Sequence, residues 1–334
     1  MKNLLPLLAL LLVLSACRDD FSLEGDYQDL PVAYAYLNAA DERQFVRVEK
    51  AFLEAGGNAE AVAGIADSIY YAPGAVTVVL ENLSNGQSAE MRRVDARDFG
   101  LNRTDGIFAQ TPNVAYAIET DEIDLRGDHA VRLTLARPGE EDAVAETQVL
   151  REFSINRPTM QVRVDDYPRP VVVTWEKIPG AAIYDVTLVF NIRELFPSNP
   201  DQNRTVQLTW PVSTSFVPGG DQASERFVRF EILSESFYQF IGAELQPIDG
   251  VVRRFDNFDI RVAAAGQEVL DRRNLENANA GITSSQSLPR YTNLIGGLGL
   301  ITSFSQAERD GILFDGGSLD SLELGVYTRD LGFR

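Results

Sequence analysis

The strongest constraint on this chain is a period of two in its hydrophobicity. Val76, Val78 and Leu80 face one way while Thr77 and Glu81 face the other. Val131, Leu133 and Leu135 oppose Arg132 and Thr134 in the same manner. Val206, Leu208 and Trp210 alternate with Gln207 and Thr209, and Phe258, Ile260 and Val262 with Asp259 and Arg261. Such alternation buries one face only when the backbone is extended, so each run reads as a half-buried strand. Turn signals separate the runs at Asn85-Gly86, Arg126-Gly127-Asp128, Pro138-Gly139 and Pro218-Gly219-Gly220. Many short strands punctuated in this way predict a mainly β chain built of sandwiches.

One stretch departs from that period. Val62, Ile65, Ala66 and Ile69 fall at i, i+3, i+4 and i+7, which predicts a helix over Ala59 to Ile69 capped by Asn58. A lid over one end of the sandwich is its expected role.

At 334 residues the chain has room for two cores. Asn156-Arg157-Pro158 interrupts the strand pattern and a new run begins at Met160. The expected divisions are a signal over 1–16, an acidic tether over 17–30, a first Ig-like sandwich over 31–155, a second sandwich over 160–305 and a C-terminal extension over 306–334. Within the second, Val171 to Val186 (VVVTWEKIPGAAIYDV) resembles the B–C hairpin of fibronectin type III domains. That resemblance implies a core Trp175, a Pro179-Gly180 turn and a Tyr184 leading the next strand. The predicted fold class is therefore two Ig-like or fibronectin type III-like β-sandwiches, with one short helix in the first.

The N-terminus reads as an address. Lys2 precedes an apolar run from Leu4 to Leu14, about the length of a signal core and too short to span a bilayer. Leu14-Ser15-Ala16-Cys17 then resembles the lipobox of bacterial lipoproteins, in which the cysteine thiol accepts diacylglycerol. Cys17 is the only cysteine in the chain. Two or more acyl chains hold a protein stably on a bilayer. The following Arg18-Asp19-Asp20 resembles the export tag of Bacteroidota lipoproteins displayed on the outer face of the outer membrane.

Further features extend that resemblance along the chain. They are Pro31 to Leu37 (PVAYAYL), Phe52-Leu53 before Gly56-Gly57-Asn58-Ala59, and Tyr291-Thr292-Asn293-Leu294. Gly296-Gly297-Leu298-Gly299-Leu300, Ser318 to Leu322 and Tyr327-Thr328-Arg329 complete the set. Together they resemble a family of Bacteroidota outer-membrane lipoproteins with Ig-like or fibronectin type III-like domains. The resemblance implies a lipid-anchored, surface-exposed envelope protein and carries no activity from which a catalytic residue could be transferred. The same phylum O-glycosylates exported proteins at Asp-Ser/Thr-apolar triplets, which Asp67-Ser68-Ile69 and Asp320-Ser321-Leu322 match, making Ser68 and Ser321 candidate sites.

Composition narrows the chemistry. Asp and Glu number 49 against 30 Lys and Arg, a net charge of −19, and the lysines are only Lys2, Lys50 and Lys177. That balance argues against nucleic acid and anionic lipid as partners, since both need basic patches. With one histidine and one cysteine, neither internal disulfides nor a zinc or copper centre is expected. His129 follows Gly127-Asp128 in an apparent turn and is expected on the surface. No G-x-S-x-G or S-x-x-K motif accompanies a serine. Asp121, Glu122, Asp124 and Asp128 could offer oxygens to calcium, but their spacing is not that of an EF-hand loop. Gly296-Gly297-Leu298-Gly299 lacks the spacing of a phosphate loop and reads as close backbone approach. No catalytic, cofactor or metal residue is assigned.

These readings favour a non-enzymatic binding or assembly accessory in the outer membrane, with a protein partner. A glycan-binding or adhesive module is the alternative, with Tyr34, Tyr36, Tyr70, Tyr71, Phe237 and Tyr238 as its platforms. The second alternative, an envelope hydrolase acting on polysaccharide, needs two facing carboxylates in a cleft.

Overall fold

The computed structural model describes residues 30–51, 59–222, 224–280 and 290–334. Strand accounts for 45% and helix for 19% of the structure, which is mainly β as the alternation predicts. The signal over 1–16, Cys17, Arg18, Asp19, Asp20, Phe52-Leu53 and Asn58 lie outside the described residues.

The first sandwich uses eight strands of its own. They are β1 (Pro31–Leu37), β2 (Arg43–Lys50), β3 (Thr77–Asn82), β4 (Gln87–Glu90), β5 (Arg92–Asp95), β6 (Val114–Glu119), β7 (Ala130–Ala136) and β8 (Ala143–Gln148). One layer runs β4-β3-β7-β8 and the other β1-β2-β6-β5. Met91 alone carries the chain from one layer to the other, its N–H held by the Val78 carbonyl at 2.8 Å. Alternate residues meet between the layers. Val78, Leu80, Val131, Leu133 and Leu135 from one layer are fully buried with Ala33, Leu37, Val46 and Ile118 from the other. Full burial of each larger aliphatic side chain contributes about 1.5–3 kcal/mol.

The second sandwich is built from β9 (Ile155–Arg157), β10 (Gln161–Val162), β11 (Pro170–Glu176), β12 (Ala181–Leu195), β13 (Arg204–Phe216), β14 (Phe227–Leu233), β15 (Val252–Gly266) and β16 (Leu298–Phe314). Its layers run β14-β11-β9 and β13-β12-β15-β16, with β10 on the far end of β16. This is the strand order of a fibronectin type III-like sandwich. One expectation changes in detail. β11 and β12 do not form a hairpin, because each pairs within a different layer and the Pro179-Gly180 turn arches between them. Trp175 and Tyr184 still meet in the core, their rings 5.3 Å apart, because they face each other across the two layers.

β16 is the weld. Residues 298–303 pair in parallel with β1 of the first sandwich, and residues 304–312 pair antiparallel with β15 of the second. The two halves thus share one nine-stranded sheet. Gly299 makes the junction feasible. It sits at φ +138° and opposite Ala33, whose carbonyl oxygen occupies the place a Cβ would take. The glycine-rich run is a site of close backbone approach, as expected. Ser303 reinforces the junction by donating to the Leu37 carbonyl at 2.7 Å and accepting from the Leu150 N–H at 2.9 Å.

Two boundaries need correction. The predicted single helix over Ala59 to Ile69 is two short helices, α1 (Ala59–Ala63) and α2 (Ala66–Ile69). Gly64 disfavours a continuous helix by about 1 kcal/mol, and Ile65 turns extended, leaving its side chain exposed instead of in the stripe. The stretch 306–334 is not an appendage. A division at 305 would cut β16, and Ala307, Ile312, Phe314, Leu322, Leu331 and Phe333 belong to the second core. The remaining helices, α3 (Ser234–Glu244), α4 (Gln267–Ala280) and α5 (Gly316–Leu324), lie on the second sandwich. No described helix is long and apolar enough to cross a membrane.

Candidate functional site: an aromatic and arginine-bearing sheet face

Alternation along β1 sends Ala33, Ala35 and Leu37 into the first core and leaves Tyr34 and Tyr36 on the outer face, 39% and 51% exposed. β2 runs antiparallel beside it with Tyr34 opposite Arg47, and Arg43 and Phe45 lie on the same outward side. The chain then adds rings to this face from a loop. After β5 a short 3-10 turn over Ala96–Phe99 is capped by Asp95, whose carboxylate accepts from the Arg97 N–H, and Gly100 closes the turn in the left-handed region. The Arg97 guanidinium beside Asp95 holds that carboxyl down at about 2. Phe99 is thereby set against Phe45, ring centres 5.5 Å apart, with the Arg43 guanidinium 4.4 Å over its ring.

Further along the same loop, Arg103 turns back onto the sheet. Its guanidinium donates to Glu49 at 2.8 Å and to the Tyr70 hydroxyl at 3.1 Å, and it lies 4.5 Å over the Phe108 ring. Arg47 reaches the same Tyr70 hydroxyl at 3.4 Å and Glu49 at 3.6 Å. A buried carboxylate held by two arginines therefore anchors the loop. Asn113 closes the loop by donating to the Leu101 carbonyl at 2.7 Å. Beneath it Ile69, Tyr70, Ala109 and Val114 form a small separate core. The helices α1 and α2 belong to this cover over the sheet, a lid on a face instead of on an end. The strand pair and its loop leave Tyr34, Tyr36, Phe99, Leu101, Ile107 and Phe108 exposed, with Arg43 over the Phe99 ring and Arg103 over the Phe108 ring.

The six rings singled out as glycan platforms do not come together. Tyr70, Tyr71, Phe237 and Tyr238 are at most 6% exposed, and only Tyr34 and Tyr36 remain on the surface. The Tyr238 hydroxyl donates to the Ser318 carbonyl at 3.0 Å, and burial raises its pKa well above the ordinary tyrosine value. Sequence reasoning missed Phe99, Arg103 and Phe108, because residues 97–113 carry no periodicity. The one available signal was the density of aromatic and arginine residues there.

The carboxylates of the candidate calcium loop separate. Glu122 pairs with Arg92 at 2.8 Å, Asp124 with Arg126 at 2.9 Å and Asp128 with Arg151 at 3.7 Å. Among the described residues no three His, Cys, Asp or Glu side chains gather as a metal site. Asp121 and Asp124 instead line an open cleft of about 540 Å³ with Asp41, Glu42, Glu119 and Arg126. Burial raises the Asp41 pKa, and Arg43 pairs with Glu119 at 2.6 Å. His129 is half-buried instead of free on the surface, with Nδ1 3.0 Å from the Asn82 side-chain nitrogen. The same Asn82 amide donates to the Ile123 and Asp124 carbonyls, so His129 belongs to a turn-fixing network. Trp175 is wholly buried. Ser68 and Ser321 are half-buried, on α2 and α5.

No protein-family model matches the chain. No curated protein matches it either. Among solved structures, it is similar to a 1.5-MDa bacterial ice-binding adhesin described for its host cell surface retention, at 8% identity and a TM-score of 0.19. That match covers 87% of this chain and 66% of the adhesin chain. It is also similar to the FN1–FN3 domains of chicken CNTN1, at 9% identity and a TM-score of 0.22, over 71% of this chain and 60% of that one. The chain thus spans under two thirds of the length of either. Neither likeness carries weight for function.

Proposed function

We propose that this chain is a non-enzymatic binding module, held on the outer face of a bacterial outer membrane through lipid on Cys17, whose first sandwich engages a protein partner. The observation that carries the binding reading is the outer face of β1 and β2. It exposes Tyr34, Tyr36, Phe99, Leu101, Ile107 and Phe108 around Arg43, Arg47 and Arg103. Aromatic residues and arginine are the side chains most enriched at protein interfaces and most often dominate their energetics.

The face arrives pre-organised. Glu49, Tyr70 and Asn113 fix the loop through hydrogen bonds, so a partner meets rings whose ordering cost is already met by the fold. A protein partner fits this composition better than a glycan does, because four of the six rings a glycan surface would use are inside the cores. The anchor rests on the apolar run Leu4 to Leu14 and the Ser15-Ala16-Cys17 that ends it.

Site-specific photocrosslinking on intact cells tests the reading. A crosslinker at position 36 or 107 should give one discrete protein adduct, and one at the distant exposed position 207 should not. Equal, diffuse labelling from all three positions would contradict it.

A further inference from the structure

The second sandwich carries an arginine-lined groove that the binding face of the first does not use. Arg157, Arg163, Arg169 and Arg229 line an open depression of about 770 Å³, with Thr159 and Gln161 and no acidic residue in its wall. In a chain with 49 acidic and 30 basic residues, four arginines gather in one wall.

The topology explains their convergence. Thr174 of β11 is the register partner of Arg157 on β9 and of Arg229 on β14. Cross-strand partners share a face, so the two arginines flank one strand on the outward side, their backbones about 10 Å apart. Arg163 and Arg229 are balanced by Asp165 and Glu231, each at 2.6 Å. Arg157 and Arg169 have no acidic partner among the described residues and are exposed.

The rim supplies a second kind of chemistry. Met160 is 72% exposed, and its carbonyl accepts from the N–H of Leu313, itself 45% exposed. Met160 lies between Thr159 and Gln161 of the groove wall, and Leu313 is the register partner of Gln161, so both belong to its border. Arginines that bind phosphate bidentately, next to apolar groups able to enter the headgroup region, are the chemistry of a membrane-surface contact. The overall negative charge opposes approach to an anionic surface, but at physiological salt a charge acts over only about 8 Å. Within that range Arg157 and Arg169, which have no acidic partner among the described residues, are the groups placed to meet headgroup phosphate.

We propose that the groove of Arg157, Arg163, Arg169 and Arg229, with Met160 and Leu313 at its rim, docks the second sandwich onto a lipid surface by binding headgroup phosphate. This goes beyond the partner-binding face and does not require acyl chains on Cys17.

The test uses the mature chain with Cys17→Ser, so that no lipid anchor contributes, and cosedimentation with vesicles. Vesicles of equal parts phosphatidylcholine and phosphatidylglycerol should bind it, those of phosphatidylcholine alone much more weakly, and added salt should release it. Arg157→Ala with Arg169→Ala should weaken binding about thirtyfold, and Met160→Ser with Leu313→Ser should weaken it with no change in charge. Equal binding to both vesicles, or no effect of the arginine pair, would overturn the proposal. So would binding to a soluble sulfated polysaccharide without binding to vesicles, which would make the groove a polyanion site.

Discussion

Arg253 donates twice to one carboxylate oxygen of Glu194, at 2.9 and 2.6 Å, while Arg204 takes the other oxygen at 2.7 Å. Both members of the central pair are almost wholly buried. Two further guanidinium N–H groups of Arg253 go to the Leu331 and Gln246 carbonyls, and its backbone N–H bonds the Gly332 carbonyl. A single side chain thus clasps the C-terminal residues to β15. Burial pushes the Glu194 pKa up, but the two arginines outweigh it and hold the carboxyl below its ordinary value.

Removing one partner strands the other charge in the core. Glu194→Ala should lower unfolding stability by about 3–5 kcal/mol, the usual cost of an uncompensated buried charge. Denaturant melts check this. The acid dependence has a definite sign. A depressed folded-state pKa contributes stability above the ordinary glutamate value near 4.5, and that contribution is lost as pH falls through the lowered value. Wild type should lose stability in that range, and Glu194→Ala should lose correspondingly less.

Gly299 sits on the strand that the two sandwiches share, at its close approach to Ala33. Any larger side chain collides with the Ala33 backbone and sits at a φ that disfavours Cβ. Gly299→Val should cost about 2 kcal/mol or more and split a single thermal transition into two. Calorimetry reads both effects, and an unchanged single transition would show that the shared strand is not what couples the sandwiches.

Tyr184 gives the alkaline counterpart. Burial, partly offset by the neighbouring Trp175 indole, pushes its hydroxyl up to about 12 from 10. Its stabilising contribution is full below the unfolded value near 10 and is lost as pH rises through 12. Tyrosinate absorbance should therefore show Tyr184 ionising only as pH rises through about 12 or with unfolding.

The alternation of apolar residues made the strands of both cores legible, and Trp175 and Tyr184 marked the second sandwich correctly. What escaped was non-local. Nothing in Leu298 to Phe314 announces that one strand will serve two sandwiches, because pairing partners are set by topology and not by the strand's own period. The helical stripe at Val62, Ile65 and Ile69 was real as spacing, yet Gly64 broke it, a local cost outweighing a pattern. The candidate face was half visible. Tyr34 and Tyr36 follow from period two on β1, whereas Phe99, Arg103 and Phe108 depend on a loop folded over the sheet by Glu49 and Tyr70.

The proposed anchor on Cys17 has its own consequence. Cys17→Ala should abolish incorporation of a labelled fatty acid and release the protein from the membrane fraction. Unchanged labelling and membrane association would contradict an anchor at Cys17.

The binding face is tested most directly by pull-down from detergent-solubilised outer membranes, comparing wild type with the double variant Tyr36→Asp and Ile107→Asp. Both side chains are more than half exposed, so folding stability should stay within about 0.5 kcal/mol of wild type. The account predicts a stoichiometric protein partner with wild type and its loss from the folded variant. Equal recovery with both, or no partner with wild type, would contradict it.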